Sequence, residues 1–526
     1  MAKYKEGDNK DSGFWFIVSG SWLKEKTRNC KQETGNQSFI VIGQKGVLCK
    51  GLREVLVRPL IKRTLTVTGI ILAAGVTAAG WYLTQAIPIG TGYAAKYLCS
   101  GVFISGRDPD TVFREDVAPV NPLAAVVSVQ VDRLNKRVMA DSFGLFKAAA
   151  VYREGCGCTL AVGVSEDDLR KQNIAAAAPK KPLSDDLPWP AGNREVARPL
   201  PAGVDDAKLS KALDNAFAES GSEKLKNTRA VLVVYDGGLI AERYAPGFDR
   251  NMPLLGWSMS KSITNALVGI MIKNGKLRLN EPAPVQEWQK EGDPRGRITL
   301  DQLLRMSSGL EFGEVYKPLY DATKMLYGSP DFAAYAAAKP LAAAPDTKWS
   351  YSSGTANIVS RIVRTEAEKS YRNCYTFMRE ELFDRIGMQS AVPESDPSGT
   401  YVGSSYTFAT PRDWARFGLL YLQDGVWNGE RILPEGWVAY TTTPTSGAPI
   451  GEYGALFWLN AGPVSDPGKR RWPSSPADAY SADGFQEQKV IVIPSRKLVL
   501  VRFGATTVRK AWNTDAFIAD VLAALP

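Results

Sequence analysis

A serine and a lysine three positions apart, Ser258 and Lys261, are the side chains of this sequence best suited to nucleophilic chemistry. The 526 residues include no histidine, so a Ser-His-Asp relay and a histidine metal site are both excluded. A serine hydrolase without histidine needs another proton acceptor, and a buried lysine can serve as one. Because residues three apart share a helix face, Ser258 Oγ and the Lys261 amine are expected within hydrogen-bonding distance.

The Ser-x-x-Lys spacing alone is not specific, because Ser21 and Lys24 repeat it in an irregular polar segment. At Ser258 the motif instead follows two predicted strands and opens an apolar helix that stops near Asn274. Unpaired backbone N–H groups at such a helix N-terminus favour negative charge developing on the serine. The alternative is that Ser258 only caps the helix and that Lys261 is solvated.

The elements around the motif predict an α+β fold from about residue 203 onward. They are strands at 230–235, 239–244, 489–493 and 497–503, and helices at 205–220 and 515–525. Strands at both ends with helices between them predict one antiparallel sheet, flanked by helices and interrupted by an inserted all-helical region. The hairpin turn Asp236-Gly237-Gly238 supports the first strand pair.

An uncharged apolar stretch precedes this domain, and residues 64–86 are long enough to cross a bilayer, which takes roughly 20 residues. Arg58, Lys62 and Arg63 stand directly before it. The positive-inside rule therefore predicts a single-pass inner-membrane anchor, with a cytoplasmic segment over 1–63 that need not be folded and a periplasmic catalytic domain. A cleaved signal peptide, with exits near Ala86 or Ala95, and a buried core helix are the alternatives.

Two further stretches separate the anchor from the catalytic domain, residues 203–526. Residues 87–173 predict a small membrane-proximal unit containing β-hairpins, and 174–202 predict an Ala/Pro-rich linker. If this part is exported, a disulfide of Cys99 with Cys156 or Cys158 is compatible with the sequence, and the alternative is that all six cysteines are buried or free thiols. The net charge of +9 comes without a nucleic-acid motif, so no nucleic-acid partner is expected.

Three later segments carry a family resemblance, namely 298–310, 348–357 with Tyr351 in a Ser/Gly-rich turn, and 410–425. In order and spacing they resemble the serine β-lactamase and penicillin-binding-protein superfamily. Within it, residues 205–526 are similar to class C β-lactamase-related esterases and amidases of the 6-aminohexanoate-dimer hydrolase type. The resemblance implies the β-lactamase/transpeptidase-like fold.

It also implies roles for individual residues. Ser258 would attack a carbonyl and form an acyl-enzyme, Lys261 would accept the serine proton, and Tyr351 would complete the relay. The oxyanion would lie between the backbone N–H groups of Ser258 and Phe485. No cofactor and no metal are implied, and the oligomeric state is left open.

Two motifs depart from the family pattern. Ala482-Asp483-Gly484 stands where β-lactamases carry Lys-Thr-Gly or His-Thr-Gly, and Tyr351 is followed by Ser352 and Ser353 where the pattern is Tyr-x-Asn. In antibiotic-hydrolysing relatives those lysine and asparagine groups help to hold the substrate. We therefore expect a small-molecule ester or linear amide as substrate. The alternatives are a penicillin-binding-protein-like cell-wall peptidase, or a catalytically silent relative that binds cell wall or a partner.

Other polar and aromatic side chains are open to plainer interpretations. Asp413 and Arg416 are expected to support a helix start and an ion pair instead of catalysis. A set of aromatic residues either lines a pocket or fills the core: Tyr316, Tyr320, Tyr327 and Trp458.

Overall fold

The computed structural model describes residues 58–526, except 175–182, 195, 197–198, 220, 222–224, 464, 467 and 509. The predictions for the segment before residue 58, including the accidental motif at Ser21, lie outside the described residues. Residues 81–526 form one compact unit, which contains both the predicted small unit and the predicted catalytic domain.

The helices are α1 Arg58–Phe103, α2 Pro109–Val112, α3 Glu166–Lys171, α4 Asp206–Phe217, α5 Ser260–Lys273, α6 Leu300–Leu304, α7 Asp321–Gly328, α8 Phe332–Ala337, α9 Ser353–Ala367, α10 Cys374–Met378, α11 Pro411–Leu422, α12 Trp437–Thr442 and α13 Thr514–Leu522. The strands are β1 Ser128–Asp132, β2 Arg137–Asp141, β3 Ala148–Arg153, β4 Gly157–Leu160, β5 Thr228–Tyr235, β6 Gly238–Tyr244, β7 Leu254–Leu255, β8 Val392–Pro393, β9 Thr407–Ala409, β10 Val426–Trp427, β11 Glu430–Arg431, β12 Trp458–Leu459, β13 Tyr480–Gly484, β14 Gln488–Ile493 and β15 Leu498–Gly504.

The main sheet has six antiparallel strands in the order β12-β13-β14-β15-β5-β6. Strand β15 pairs with β5, with Leu500 opposite Val233, so the two ends of the catalytic domain meet in the middle of the sheet. The prediction of one antiparallel sheet built from both ends is confirmed.

Helices cover both faces of this sheet because its central strands are apolar on both sides. Along β5, Val231 and Val233 pack with α4 and α13, while Leu232 and Val234 belong to the core that contains α5 and α11. Successive side chains of a strand point to opposite faces, so a continuous apolar run indicates a strand that is covered twice.

The inserted region is mostly helical, but the prediction that it is all helical is wrong. Strands β7, β9 and β8 form a small three-stranded sheet, and β10 pairs with β11. These strands have two or three residues each, which is too short for an alternating pattern to show in the sequence.

Helix α1 is, among the described residues, the one helix long and apolar enough to span a membrane. Its side chains are exposed from Thr64 to Gln85, and burial begins at Ala86. The predicted anchor boundary at residue 86 thus falls inside a continuous helix, which passes Pro88 and ends at Phe103.

The predicted hairpins after α1 are confirmed, because β1 to β4 form an antiparallel sheet in chain order. A disulfide joins Cys99 of α1 to Cys158 of β4, which is one of the two pairings compatible with the sequence. Cys156 and Cys374 are free and buried.

Buried contacts join these N-terminal elements to the catalytic domain. Glu394, which is fully buried, accepts from Lys96 Nζ at 2.5 Å, from Ser100 Oγ at 2.8 Å and from the Cys158 amide at 2.7 Å. In the predicted linker, Trp189 is buried and donates to the Arg412 carbonyl at 3.4 Å. Part of the linker is therefore packed against α11.

We expect Lys96→Met to lower the free energy of unfolding by about 3 kcal/mol, because it leaves the Glu394 carboxylate buried without its cation. The matched control is Lys136→Met, which removes an exposed lysine 3.5 Å from Glu154 and should cost at most about 1 kcal/mol. Denaturant unfolding of the full chain measures both variants. Equal losses would contradict the anchoring role of the buried pair.

Candidate active site

Ser258 is presented by a tight turn between β7 and α5. The Gly256 amide donates to the Thr407 carbonyl at 2.9 Å, which continues the β7–β9 pairing, and Trp257–Met259 then form a 3₁₀ turn. Helix α5 itself begins at Ser260, two residues later than the predicted start. Ser258 is half-buried, so its hydroxyl remains accessible.

Trp257 adopts a left-handed backbone conformation with φ of 52°, which is unusual for a bulky residue. Its ring stacks on Tyr97 of α1 at 5.0 Å and meets the Phe485 ring edge-on at 5.1 Å. Strained conformations persist where the surroundings hold them, and here aromatic packing on both sides does so. The turn before Ser258 is therefore held by an element outside the catalytic domain.

The Lys261 amine is almost completely buried, with 1% of the residue exposed. Its Nζ lies 3.1 Å from Ser258 Oγ, 3.2 Å from Ser353 Oγ and 2.9 Å from the Ser404 carbonyl oxygen. Burial lowers its pKa to about 8, and the charge of Glu314 opposes that shift. The alternative that Lys261 is a solvated surface residue is wrong.

Tyr351 lies against the same amine, with the Lys261 Nζ 4.6 Å from the centre of its ring. Its ring packs against Trp458 at 5.3 Å and Tyr453 at 5.7 Å. Burial and the charge of Glu314 raise the pKa of Tyr351, while its interaction with the Ser258 side chain lowers it. The structure thus brings the predicted Ser258, Lys261 and Tyr351 together, with the phenol in its neutral form.

No role was predicted from the sequence for two polar residues of this cluster, Ser353 and Glu314. Ser353 Oγ accepts from Lys261 and donates to Glu314 at 2.6 Å, and the Ser353 amide donates to Glu314 at 2.7 Å. Ser353 occupies the third position of the altered Tyr-x-Asn motif, so its place could have been inferred. Glu314 lies in a loop without helical or strand periodicity, and no local pattern marks it.

The end of β13 lies directly beside the Ser258 turn. A Cβ atom added to Gly484 would be 2.2 Å from the Gly256 carbonyl oxygen and 3.1 Å from Trp257 Cβ, so only glycine fits this approach. Phe485 follows immediately and begins a short 3₁₀ turn. The predicted second oxyanion residue is therefore next to the turn that carries Ser258, Trp257–Met259.

The substituted third motif has no lysine and carries a largely buried carboxylate, Asp483. Asp483 binds Arg471 at 2.7 Å and Lys489 at 2.9 Å. Burial raises the pKa of Asp483, but the charges of Lys489 and Arg471 lower it by more than burial raises it. The net pKa is therefore below the usual value, and the carboxyl group stays ionised. Asp413 and Arg416, for which no catalytic role was expected, form a buried ion pair at 2.7 Å.

Comparisons with known proteins agree with this architecture. The sequence model of the family described as Beta-lactamase matches residues 213–523, more than half of the 526 residues. No curated protein sequence matches the chain.

Several solved structures are similar to the chain. A protein of Bacillus anthracis assigned as a 6-aminohexanoate-dimer hydrolase is 22% identical, with 60% of this chain and 79% of that chain covered and a TM-score of 0.44. A family VIII carboxylesterase is 14% identical, with coverage of 63% and 100% and a TM-score of 0.48. A penicillin-binding-protein homolog of Caulobacter crescentus is 14% identical, with coverage of 63% and 100% and a TM-score of 0.46.

The antiparallel sheet and its helical layers, together with the family-model match, define a serine hydrolase of the β-lactamase and penicillin-binding-protein superfamily. The match of the family model over most of the catalytic domain makes the assignment direct, and the chain belongs to the beta-lactamase family.

We expect kcat/KM for an activated ester to rise with pH through about 8, because Lys261 accepts a proton only in its neutral form. Glu314 raises the pKa of Lys261, so Glu314→Gln should shift the rising part of the pH profile to lower pH. Glu311→Gln, an exposed glutamate of the same loop, is the control and should leave the profile in place. A pH–rate profile of each variant measures the shift, and an unmoved rising part in Glu314→Gln would contradict the coupling.

Proposed function

We propose that the protein hydrolyses a small ester or linear amide through an acyl-enzyme on Ser258. The observation that carries the proposal is the contact of 3.1 Å between Ser258 Oγ and a fully buried lysine amine of lowered pKa. A neutral amine at this distance can take the serine proton as the nucleophile attacks.

The reaction follows from the positions of the side chains. Ser258 Oγ forms a bond to the substrate carbonyl carbon while its proton passes to Lys261. The resulting oxyanion accepts hydrogen bonds from the amides of Ser258 and Phe485. Collapse of this intermediate breaks the bond to the leaving group, and Tyr351 passes it a proton drawn from Lys261. Water then attacks the acyl-enzyme by the same route in reverse and releases the acid.

The altered motifs support an ester or linear amide over a β-lactam. Ser353 bonds to Lys261 and Glu314, so its hydroxyl is occupied within the site. Arg471 and Lys489 are both held by Asp483, which lowers their value as ligands for a substrate carboxylate. These features favour a substrate without the carboxylate of a penicillin.

We further propose that α1 anchors the protein in the inner membrane with the catalytic domain in the periplasm. The exposed apolar stretch, 64–85, supports an anchor over a buried core helix. Ala86 and Ala95 are buried in the continuous helix, which argues against cleavage at either site. The disulfide of Cys99 with Cys158 fits an oxidising compartment.

We expect Ser258→Ala to reduce hydrolysis of p-nitrophenyl acetate by about a thousandfold or more, because the nucleophile is lost. Ser210→Ala, an exposed serine on α4, is the matched control and should keep full activity. Steady-state kinetics and labelling with a fluorophosphonate probe provide the two measurements.

Full activity of Ser258→Ala would overturn the assignment of the nucleophile. Failure of the unmodified protein to hydrolyse any ester or to take up the probe would support the silent binding relative instead. Release of D-alanine from cell-wall peptides, with covalent capture of penicillin at Ser258, would support the peptidase.

A further inference from the structure

A cavity of about 260 Å³ lies between α1 and the catalytic domain, beside the turn that carries Ser258. Ala86, Ile89 and Tyr93 of α1 form one side, and the other side includes Trp257 and Phe485. None of the residues that line the cavity is charged. A largely apolar cavity of this kind removes apolar groups from water and offers little to a charged ligand.

The cavity is lined by residues that neighbour the proposed catalytic groups. Trp257 is the residue before Ser258, and Phe485 carries the proposed second oxyanion amide. Tyr316, which also lines the cavity, has its hydroxyl 3.3 Å from Ser353 Oγ. A substrate whose carbonyl carbon is at Ser258 can therefore extend a substituent into this space.

The position of Tyr351 indicates which part of the substrate enters. Tyr351, the proposed donor to the leaving group, packs on Tyr453 and Trp458, and neither of these lines the cavity. Trp257 and Phe485, by contrast, flank the amides that would hold the carbonyl oxygen. The acyl side of the substrate is thus the part that faces the cavity.

The cavity is built partly from the same helix that carries the exposed apolar stretch. Tyr82, another lining residue, is 42% exposed and belongs to the last turns of that stretch. Burial of α1 begins four residues later, at Ala86.

We propose that this cavity binds the linear aliphatic acyl chain of the substrate, so that the protein acts on esters or amides of aliphatic acids. The inference rests on the proposed acyl-enzyme function. Ser258 Oγ takes the acyl group, the bond to the alcohol or amine breaks, the serine proton leaves with that group, and water later releases the free aliphatic acid.

The test is a series of p-nitrophenyl esters, from acetyl to decanoyl, with the full chain in phospholipid nanodiscs. Each methylene that enters the cavity should raise kcat/KM by up to about fourfold, until the cavity is filled. A matched series of alkyl acetates, in which the chain lies on the alcohol side, should show no comparable rise.

Two substitutions on α1 separate the cavity from a general effect of apolar substrates. Ile89→Trp fills the cavity and should lower the decanoyl-to-acetyl ratio of kcat/KM by about tenfold or more. Leu83→Trp changes an exposed residue of the same helix that does not line the cavity, and should leave the ratio unchanged. If Ile89→Trp does not fold, Leu123→Trp fills the cavity from its other wall.

Hydrolysis through Ser258 without any dependence on acyl length would overturn the acyl-chain site and leave the proposed function intact. Loss of hydrolysis with every ester would overturn both. An equal rise in the alkyl acetate series, or an unchanged ratio in both cavity-filling variants, would also overturn the site.

The aliphatic ester can come from a membrane or from solution, and the two sources are separable. The decanoyl ester is offered either dissolved as monomers or dissolved in phospholipid vesicles. A rate that follows the ester content of the vesicles identifies a membrane source, and a rate that follows the free concentration identifies a soluble one.

Discussion

The chemistry proposed for this protein depends on keeping one lysine amine out of water. Burial disfavours the charged form of Lys261 and brings its pKa to about 8, close enough to neutrality for the amine to act as a base. The serine hydroxyls and the Ser404 carbonyl around it satisfy its hydrogen bonds without adding a formal charge. Glu314, held one step away through Ser353, limits how far the pKa falls.

The rest of the catalytic domain shields the Lys261 amine from water. Helix α5 is buried from Ser260 to Met271, although its first turns carry several polar side chains. Its polar side chains are satisfied internally, as shown by Asn265, which bonds to Tyr421, Trp437 and the Ala455 carbonyl. A buried helix with polar residues is stable only when such partners are present, because each unsatisfied group would cost about 1–3 kcal/mol.

The N-terminal elements contact the candidate active site. The buried pair of Lys96 with Glu394 and the disulfide from Cys99 fix α1 against the small sheet and the catalytic domain. That placement brings Tyr97 onto Trp257, whose backbone is strained directly before Ser258. The sequence predicts an anchor followed by a separate unit, and the same segment also packs against the residue that precedes Ser258.

Local sequence predicted the antiparallel sheet and the pairing of Ser258 with Lys261, because these follow from apolar runs at both ends of the domain and from short-range spacing. The absence of histidine is what made Lys261 the proposed base. The family motifs added Tyr351 and the Phe485 region. Only the tertiary structure decided the position of Glu314, the small sheet of β7, β8 and β9, and the cavity beside α1. Their partners lie tens to hundreds of residues away in the sequence, as with Lys96 and Glu394. Packing between such distant segments produces no helical or strand periodicity in either of them.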